Sequence, residues 1–543
     1  MANIKYGTGA TGDDVPEITK PQSIVNGHAT HDEESPLLSR PDSAEVMVKP
    51  LTGVGTIIAV LLLGEFISNA DATLVMAAAG HISSQFDRLR DASWLSTGYT
   101  LGLCAAQPMY GKLSDIYGRK PLLLVSYFLF ALGCIICGIG HDLWVVILGR
   151  AVSGMGGAGT MTVNIVPRRE VATWRAYVNI AMTLGRSLGG PLGGWLSDTI
   201  GWRWLFLLQA PFLALAAFLV VVKLQVAQTT PSDAAKEGKA ARLKHVDFLG
   251  TALLGSSIIA ITGLLDQGGK SFPWRSWITI VMAGGGLLLL LAFVLVEAYV
   301  AKEPIFPLRI LRRPNVATSY LIATLQSTAQ LGMMFSIPLY FQVTQRASTT
   351  ASGFHLVPAV IGNTLGGLLS GVFIRRTGHF KVLLILAGLI ASVTYSLLYI
   401  RWNGSTGFWE SLYIIPGGIG TGIASASAFI AMTSLLPSEE IPMATAGYML
   451  LISFAMTVGV TTSNTVLGTE FQHQLRENLH GPGSEKVIKR ALADTNYISH
   501  LTGHIREIVV DCYLLGLKYT YLVSLGCSLA AAFLGLFIRH HQL

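Results

Sequence analysis

The chain has 543 residues, 51% of them hydrophobic and only 13% charged, with a formal charge of +7. Soluble globular proteins carry roughly 25% charged residues, so this composition excludes a water-soluble fold for most of the chain. The positive charge does not mark a nucleic-acid binder, because the basic residues sit in short clusters between apolar runs, as in membrane proteins.

Residues 1–50 are polar and rich in Pro, Ser, Asp and Glu, which predicts a disordered tail and no cleavable signal peptide. A bilayer-spanning helix needs roughly 20 apolar residues. Six such runs fall within 51–222, at 52–78, 93–110, 122–139, 143–166, 176–196 and 204–222. A charged linker at 223–246 separates them from two further runs within 247–300, at 248–265 and 277–299. Six more lie within 301–543, at 316–341, 354–374, 382–399, 408–436, 443–467 and 519–537. The fold class expected is an all-α polytopic membrane protein of about 14 spans, with the lipid bilayer as its first partner. A long polar segment at 469–518 interrupts the last set. Within it Val487, Ala491, Leu492, Ile505, Ile508 and Val509 recur at helical spacing, which predicts one or two surface helices.

Alternate loops hold the basic clusters, among them Lys112, Arg119 and Lys120, then Arg309, Arg312 and Arg313, then Arg375, Arg376 and Lys381. The Lys/Arg bias predicts that these loops and both termini are cytosolic. Asn403-Gly404-Ser405 is an N-glycosylation acceptor pattern and falls on the opposite side. The five cysteines show neither a disulfide framework nor zinc spacing. No P-loop, nucleophile–base set or metal cluster stands out, so neither an enzyme nor a cofactor is expected.

Four local patterns carry the chemistry. Gly111 to Pro121 joins the second and third runs. Its glycines, Gly111 and Gly118, permit a tight turn. Asp115 can accept hydrogen bonds from a helix N-terminus, and Arg119 and Lys120 hold the loop on the cytosolic side. A weaker copy, Gly371 to Lys381, follows the tenth run without the central acid. In the fifth run Gly185, Gly189, Gly190, Pro191, Gly193 and Gly194 cluster around one proline. Such glycines allow close helix contact, and the proline permits a kink. Four ionisable residues lie inside apolar runs: Glu65 and Asp71 in the first, Arg150 in the fourth, Arg186 in the fifth. Counting residues at 1.5 Å each, Asp71 and Arg150 share one depth, and Glu65 and Arg186 both fall near the midplane. Charges at such depths are costly and mark functional candidates; static ion pairing or snorkelling is the competing explanation, and both stand open for Asp71 and Arg186. Gln326 and Gln330 share a helix face, for substrate contact or, with better reason, interhelical hydrogen bonding.

The Gly111–Pro121 loop resembles the signature loop of the major facilitator superfamily. The resemblance implies that fold: two related six-helix halves, here with two extra central helices. The fifth-run cluster resembles the antiporter motif of drug:proton antiporters. Leu148 to Gly157 is similar to the motif whose arginine is associated with proton transfer, and Asp71-Ala72-Thr73-Leu74-Val75 resembles an element of fourteen-span members. In the tail, Glu33 with Leu37 and Leu38 resembles an acidic dileucine sorting signal, which implies an adaptor partner. Together these resemble the fungal vacuolar basic amino acid transporters. The implied activity is proton-coupled antiport of small molecules, with protons as coupling partner, Asp71 as the coupling carboxylate, Glu65 as its rival, and the vacuolar membrane as location. Two alternatives remain: a plasma-membrane efflux pump for drugs or secondary metabolites, and a transport-inactive nutrient sensor.

A tail expected to be disordered is not expected to support the helical bundle, so Leu37→Ala with Leu38→Ala should relocate the protein without unfolding it. Imaging a fluorescent fusion checks this; unchanged location would remove the sorting reading.

Overall fold

The computed structural model describes residues 54–162, 171–223, 247–268, 275–300, 308–434, 436–437, 440–480 and 483–538. The dileucine residues Glu33, Leu37 and Leu38 and nearly all of the 223–246 linker lie outside them. The first half contains α1 (Val54–Gln85), α2 (Ser93–Tyr117), α3 (Arg119–Ile139), α4 (Leu143–Thr162), α5 (Val171–Thr199), and the pair α6 (Arg203–Leu207) and α7 (Gln209–Lys223). A hairpin follows, α8 (Phe248–Gln267) and α9 (Trp277–Tyr299). The second half contains α10 (Leu308–Leu311), α11 (Pro314–Gln345), α12 (Thr349–Phe354), α13 (Val357–Thr377), α14 (Lys381–Arg401), α15 (Phe408–Ser411), α16 (Ile415–Thr433), α17 (Ile441–Asn478), α18 (Ser484–Ala493), α19 (Thr495–His500) and α20 (Gly503–Gly535). Among the described residues each predicted run overlaps a helix, and nine helices are long and apolar enough to cross a membrane.

In lipid a helix satisfies its own backbone, so packing must come from side-chain fit and close approach. The two halves solve this in the same way. In the first, α1 packs on α5, α2 on α4, α3 on α4, and α3 on α7. In the second, α11 packs on α17, α13 on α16, α14 on α16, and α14 on α20. The same pairing recurs helix for helix, which is the internal repeat expected of this architecture. The halves meet along two seams, α2 against α17 and α5 against α12 and α13. The hairpin is held by α8, which packs on both α2 and α17. Cys104 of α2, Ile258 of α8 and Leu450 of α17 share one apolar cluster there, and Thr465 donates to the Leu265 carbonyl at 2.7 Å.

Two expectations need correction. Helix α2 continues through Gly111 to Tyr117, so the predicted turn narrows to Gly118, where φ is +87°. The polar segment at 469–518 is mostly helix as well: α17 runs to Asn478 and α20 begins at Gly503. The apolar run ends where charged residues begin, but helix continues because Phe471 and Leu475, and Val509 and Tyr513, stay buried at helical spacing. The remaining α18 and α19 are not peripheral. Ile488, Ala491, Leu492 and Ile498 enter the main core.

The end of the bundle that carries Arg119, Lys120, Arg375, Arg376 and Lys381 is here called the basic end, and the opposite one the cap end. At the cap end the halves are tied together. Ser84 of α1 meets the Thr495 side chain and backbone N–H, each at 2.9 Å. Asn464 donates to Ser93 at 2.9 Å and to the Arg90 carbonyl at 2.7 Å, and Thr97 and Thr461 lie 3.1 Å apart. Asp198, beyond the predicted span of α5, accepts from the Thr350 backbone N–H at 2.8 Å and hydroxyl at 2.6 Å, and from the Thr349 N–H at 3.3 Å. It thereby caps the N-terminus of α12 from the other half.

Partial burial pushes the Asp198 carboxyl up, but hydrogen bonds from Thr350, Thr349 and Ser348 outweigh it and hold the group below its ordinary value. A depressed carboxylate contributes stability that is complete above its unfolded pKa and is lost as pH falls through the folded one. The difference in melting temperature between wild type and Asp198→Asn should therefore be constant from neutrality down to about pH 4, the ordinary carboxylate range, and shrink below it. A difference that vanishes already at pH 6 would refute this role.

Candidate functional site

The deep polar residues gather on α1, between α4 and α5. Helix α1 approaches α5 closely because Gly185, Gly189 and Gly193 present no side chain. A Cβ at these positions would strike the backbone at Phe66, Ala70 and Leu74. The other glycines of the same motif face a different way. Gly190 lies against Gly353 and Gly194 against Thr349 and Thr350, all in the second half. Pro191 sits buried inside α5 between the two surfaces. The motif thus serves two contacts at once, one within its half and one across the cap-end seam.

Asp71 and Arg150, placed at one depth by residue counting, form an ion pair. Arg150 Nη1 lies 2.5 Å from Asp71 Oδ2, and both side chains are 1% exposed or less. The pair is completed by groups that were not singled out from the sequence. Gln209 of α7 donates from Nε2 to Asp71 Oδ1 at 3.0 Å and to the Leu205 carbonyl at 2.9 Å. Arg150 Nε donates to the Leu95 carbonyl at 3.0 Å, and its guanidinium stacks 4.5 Å from the Tyr99 ring centroid. Tyr99 in turn shares a hydrogen bond with Ser68 at 3.0 Å. A charge removed from water needs this many partners. The one available signal for Gln209 is that it is a lone amide in the apolar run 204–222.

Glu65 and Arg186 are also brought near each other, in a different arrangement. Arg186 is half-buried and donates from Nε to Asn69 Oδ1 at 3.0 Å. Asn69 Nδ2 donates to the Glu65 carbonyl oxygen at 2.8 Å and only distantly, at 3.5 Å, to Glu65 Oε2. Asn69 therefore stands between the two charges.

The other candidates have structural places. Lys120 donates to the Val221 carbonyl at 2.9 Å, fastening the start of α3 to the end of α7. Arg119 is exposed beside Gly118. Gly111 and Asp115 lie on α2, and their side-chain surroundings fall outside the described ones. Gln326 and Gln330 make interhelical hydrogen bonds, accepting from Ser528 at 2.8 Å and Thr421 at 3.2 Å. Asn403 is exposed on a cap-end turn formed by Gly404 at φ +97°. Among the described residues no group of three or more His, Cys, Asp or Glu could hold a metal ion.

The arrangement is that of a helical bundle with ionised groups buried at depth, and similarity to known proteins agrees with it. The family model described as Major Facilitator Superfamily matches residues 61–460. The vacuolar membrane amino acid uptake transporter fnx2 of Schizosaccharomyces pombe is 31% identical over 511 residues, 93% of this chain and 87% of its own. The multidrug resistance protein fnx1 of the same organism is 31% identical over 499 residues, 90% and 93% of the two chains. Among solved structures, an inward-facing bacterial homolog of the human lysosomal transporter Spinster superposes with a TM-score of 0.62 at 15% identity, covering 89% of this chain and 96% of that one.

If Gln209 completes the buried pair, Gln209→Ala leaves one Asp71 oxygen without its donor. An unpaired buried polar group costs about 1–3 kcal/mol, so the purified variant should melt measurably below wild type. Gln209→Glu, which sets a second carboxylate against Asp71, should be worse. Equal melting of both with wild type would remove Gln209 from the network.

Proposed function

The chain belongs to the major facilitator superfamily of membrane transporters, and we propose that within it the protein is a proton-coupled antiporter carrying basic amino acids into an acidic compartment. The observation that carries the proposal is the buried Asp71–Arg150 pair: an ionised couple in an apolar run, with every oxygen of the acid engaged. Ionisable groups inside the membrane are costly and mark functional sites, proton relays among them. Its seal is part of the reading, since a coupling carboxylate open to both faces at once would leak protons.

The cycle follows from linkage. With the site open toward the acidic side, Asp71 takes a proton and its attraction to Arg150 weakens. Turned toward the cytosol, it loses the proton and the pair re-forms. Each state is favoured by a different protonation, so the gradient biases the conformational equilibrium. One pH unit supplies about 1.36 kcal/mol per proton. On this reading the basic end is cytosolic and the cap end faces the lumen. The name of fnx2 supports an amino acid substrate and a vacuolar membrane. That of fnx1 supports the second reading, export of drugs.

Reconstituted protein under an imposed pH gradient separates these readings. Lysine, arginine or histidine should accumulate, and a lipophilic cationic drug should not; the reverse supports drug export. Asp71→Asn should abolish accumulation against a gradient while retaining exchange of labelled for unlabelled substrate. Accumulation that survives in Asp71→Asn and is lost in Glu65→Gln would move the coupling group to Glu65.

A further inference from the structure

Glu65, Asn69 and Arg186 are deep in the bundle but are not used by the Asp71–Arg150 pair. We infer that these three residues bind the zwitterionic head of an amino acid, Arg186 taking its carboxylate and Glu65 its ammonium. The inference rests on the amino-acid reading above and assigns the place where that substrate is read.

Two opposite charges on neighbouring helices ordinarily close into an ion pair. Here they do not. Glu65 and Arg186 both reach Asn69, yet no ion pair joins them, and the Asn69 amide lies between. Each charge keeps unused capacity. A guanidinium has five N–H donors. Arg186 commits Nε to Asn69, and its two terminal nitrogens find no acceptor among the described residues. They form the end-on fork that fits a carboxylate in bidentate fashion. A carboxylate accepts at about four positions. That of Glu65, 7% exposed, receives one hydrogen bond among the described residues, of 3.5 Å. Asn69 is fixed by the Glu65 carbonyl at 2.8 Å and so fixes the guanidinium in turn. The charges are thus preorganised, opposite in sign and separated by one amide, which suits a ligand whose own opposite charges flank one carbon.

Their position suits a substrate too. Arg186 lies one helical turn toward the basic end from Gly190, the residue that touches Gly353 of the other half. On α1, Asn69 and Thr73 lie against Gly185 and Gly189 of α5, and further toward the cap end Gly80 abuts Leu339 and Gln342 of α11. Both helices therefore touch the opposite half toward the cap end, α5 at Gly190 and α1 at Gly80, and the three residues lie below those contacts on the α1–α5 interface. Transporters of this architecture hold their cargo near the midplane between the halves.

The test uses the purified full chain and binding of radiolabelled lysine, competed with lysine, with cadaverine, which lacks the carboxylate, and with Nα-acetyl-lysine, which lacks the α-ammonium but keeps the side-chain one. Wild type should prefer lysine over both analogues by about tenfold or more, the range of a lost charge-assisted hydrogen bond. Arg186→Gln should lose the preference over cadaverine and keep that over Nα-acetyl-lysine; Glu65→Gln should show the converse. The two variants are independent, so one that does not fold leaves the other to decide. A variant that folds and keeps the wild-type order of all three ligands overturns the assignment. If wild type binds lysine no better than buffer but does bind a cationic drug, the amino-acid reading itself has failed and this inference falls with it.

Discussion

The close approach of α1 to α5 is the constraint on which the rest of the first half depends. It exists because three glycines one turn apart, Gly185, Gly189 and Gly193, bring two backbones into direct contact. At that separation Asn69 reaches Arg186, and Asp71 is turned away from α5, toward Arg150 on α4 and Gln209 on α7. Were α1 pushed outward by a single Cβ, both polar sets would lose their geometry together. The two sets nonetheless differ in kind. The Asp71 set is buried and fully partnered. The Glu65 set is held apart and undersupplied with partners. On the reading proposed above, the first stores a charge state and the second leaves room for a ligand to complete it.

The same glycine motif also carries the contact between halves, since Gly190 and Gly194 face α12 and α13. Packing inside one half and closure across the molecule are thus written into one turn of helix. Below that turn the backbone of α5 cannot move relative to α1 without disturbing Arg186. Above it, α5 cannot leave α12 without releasing the Asp198 cap. Motion at the seam and the electrostatics of the deep site are mechanically linked through α5.

Much of this is legible in the sequence. Residue counting places Asp71 opposite Arg150 because helix rise is constant and the first run ends at the face where the fourth begins, with Asp71 seven residues before that end and Arg150 seven after that start. Glycine spacing shows that α5 packs tightly, but not that its glycines divide between two partners, because the division depends on where α12 lies. Gln209 and Asn69 are harder still. A lone amide in an apolar run has a helical neighbourhood of many residues, and only tertiary packing selects Asp71 or Arg186 from it. The extended ends of α17 and α20 escape an apolar-run reading for a different reason. Hydropathy registers the width of the bilayer, whereas helices continue for as long as one face has something to pack against. At the cap end that something is α18 and α19.

The α8–α9 hairpin has a consequence for the symmetry of motion. It lies over the α2–α17 seam and holds both sides of it through α8, while its outer helix α9 packs chiefly on α8. The opposite seam, α5 against α12 and α13, has no such cover among the described residues. A molecule bound along one edge does not part evenly down the middle. It opens as a book does, with the bound edge as its spine, so that separation of the halves is greatest where α5 leaves α13 and least where the hairpin sits. Lipid tails therefore meet two unlike edges, one covered by the hairpin and one bare of such cover among the described residues.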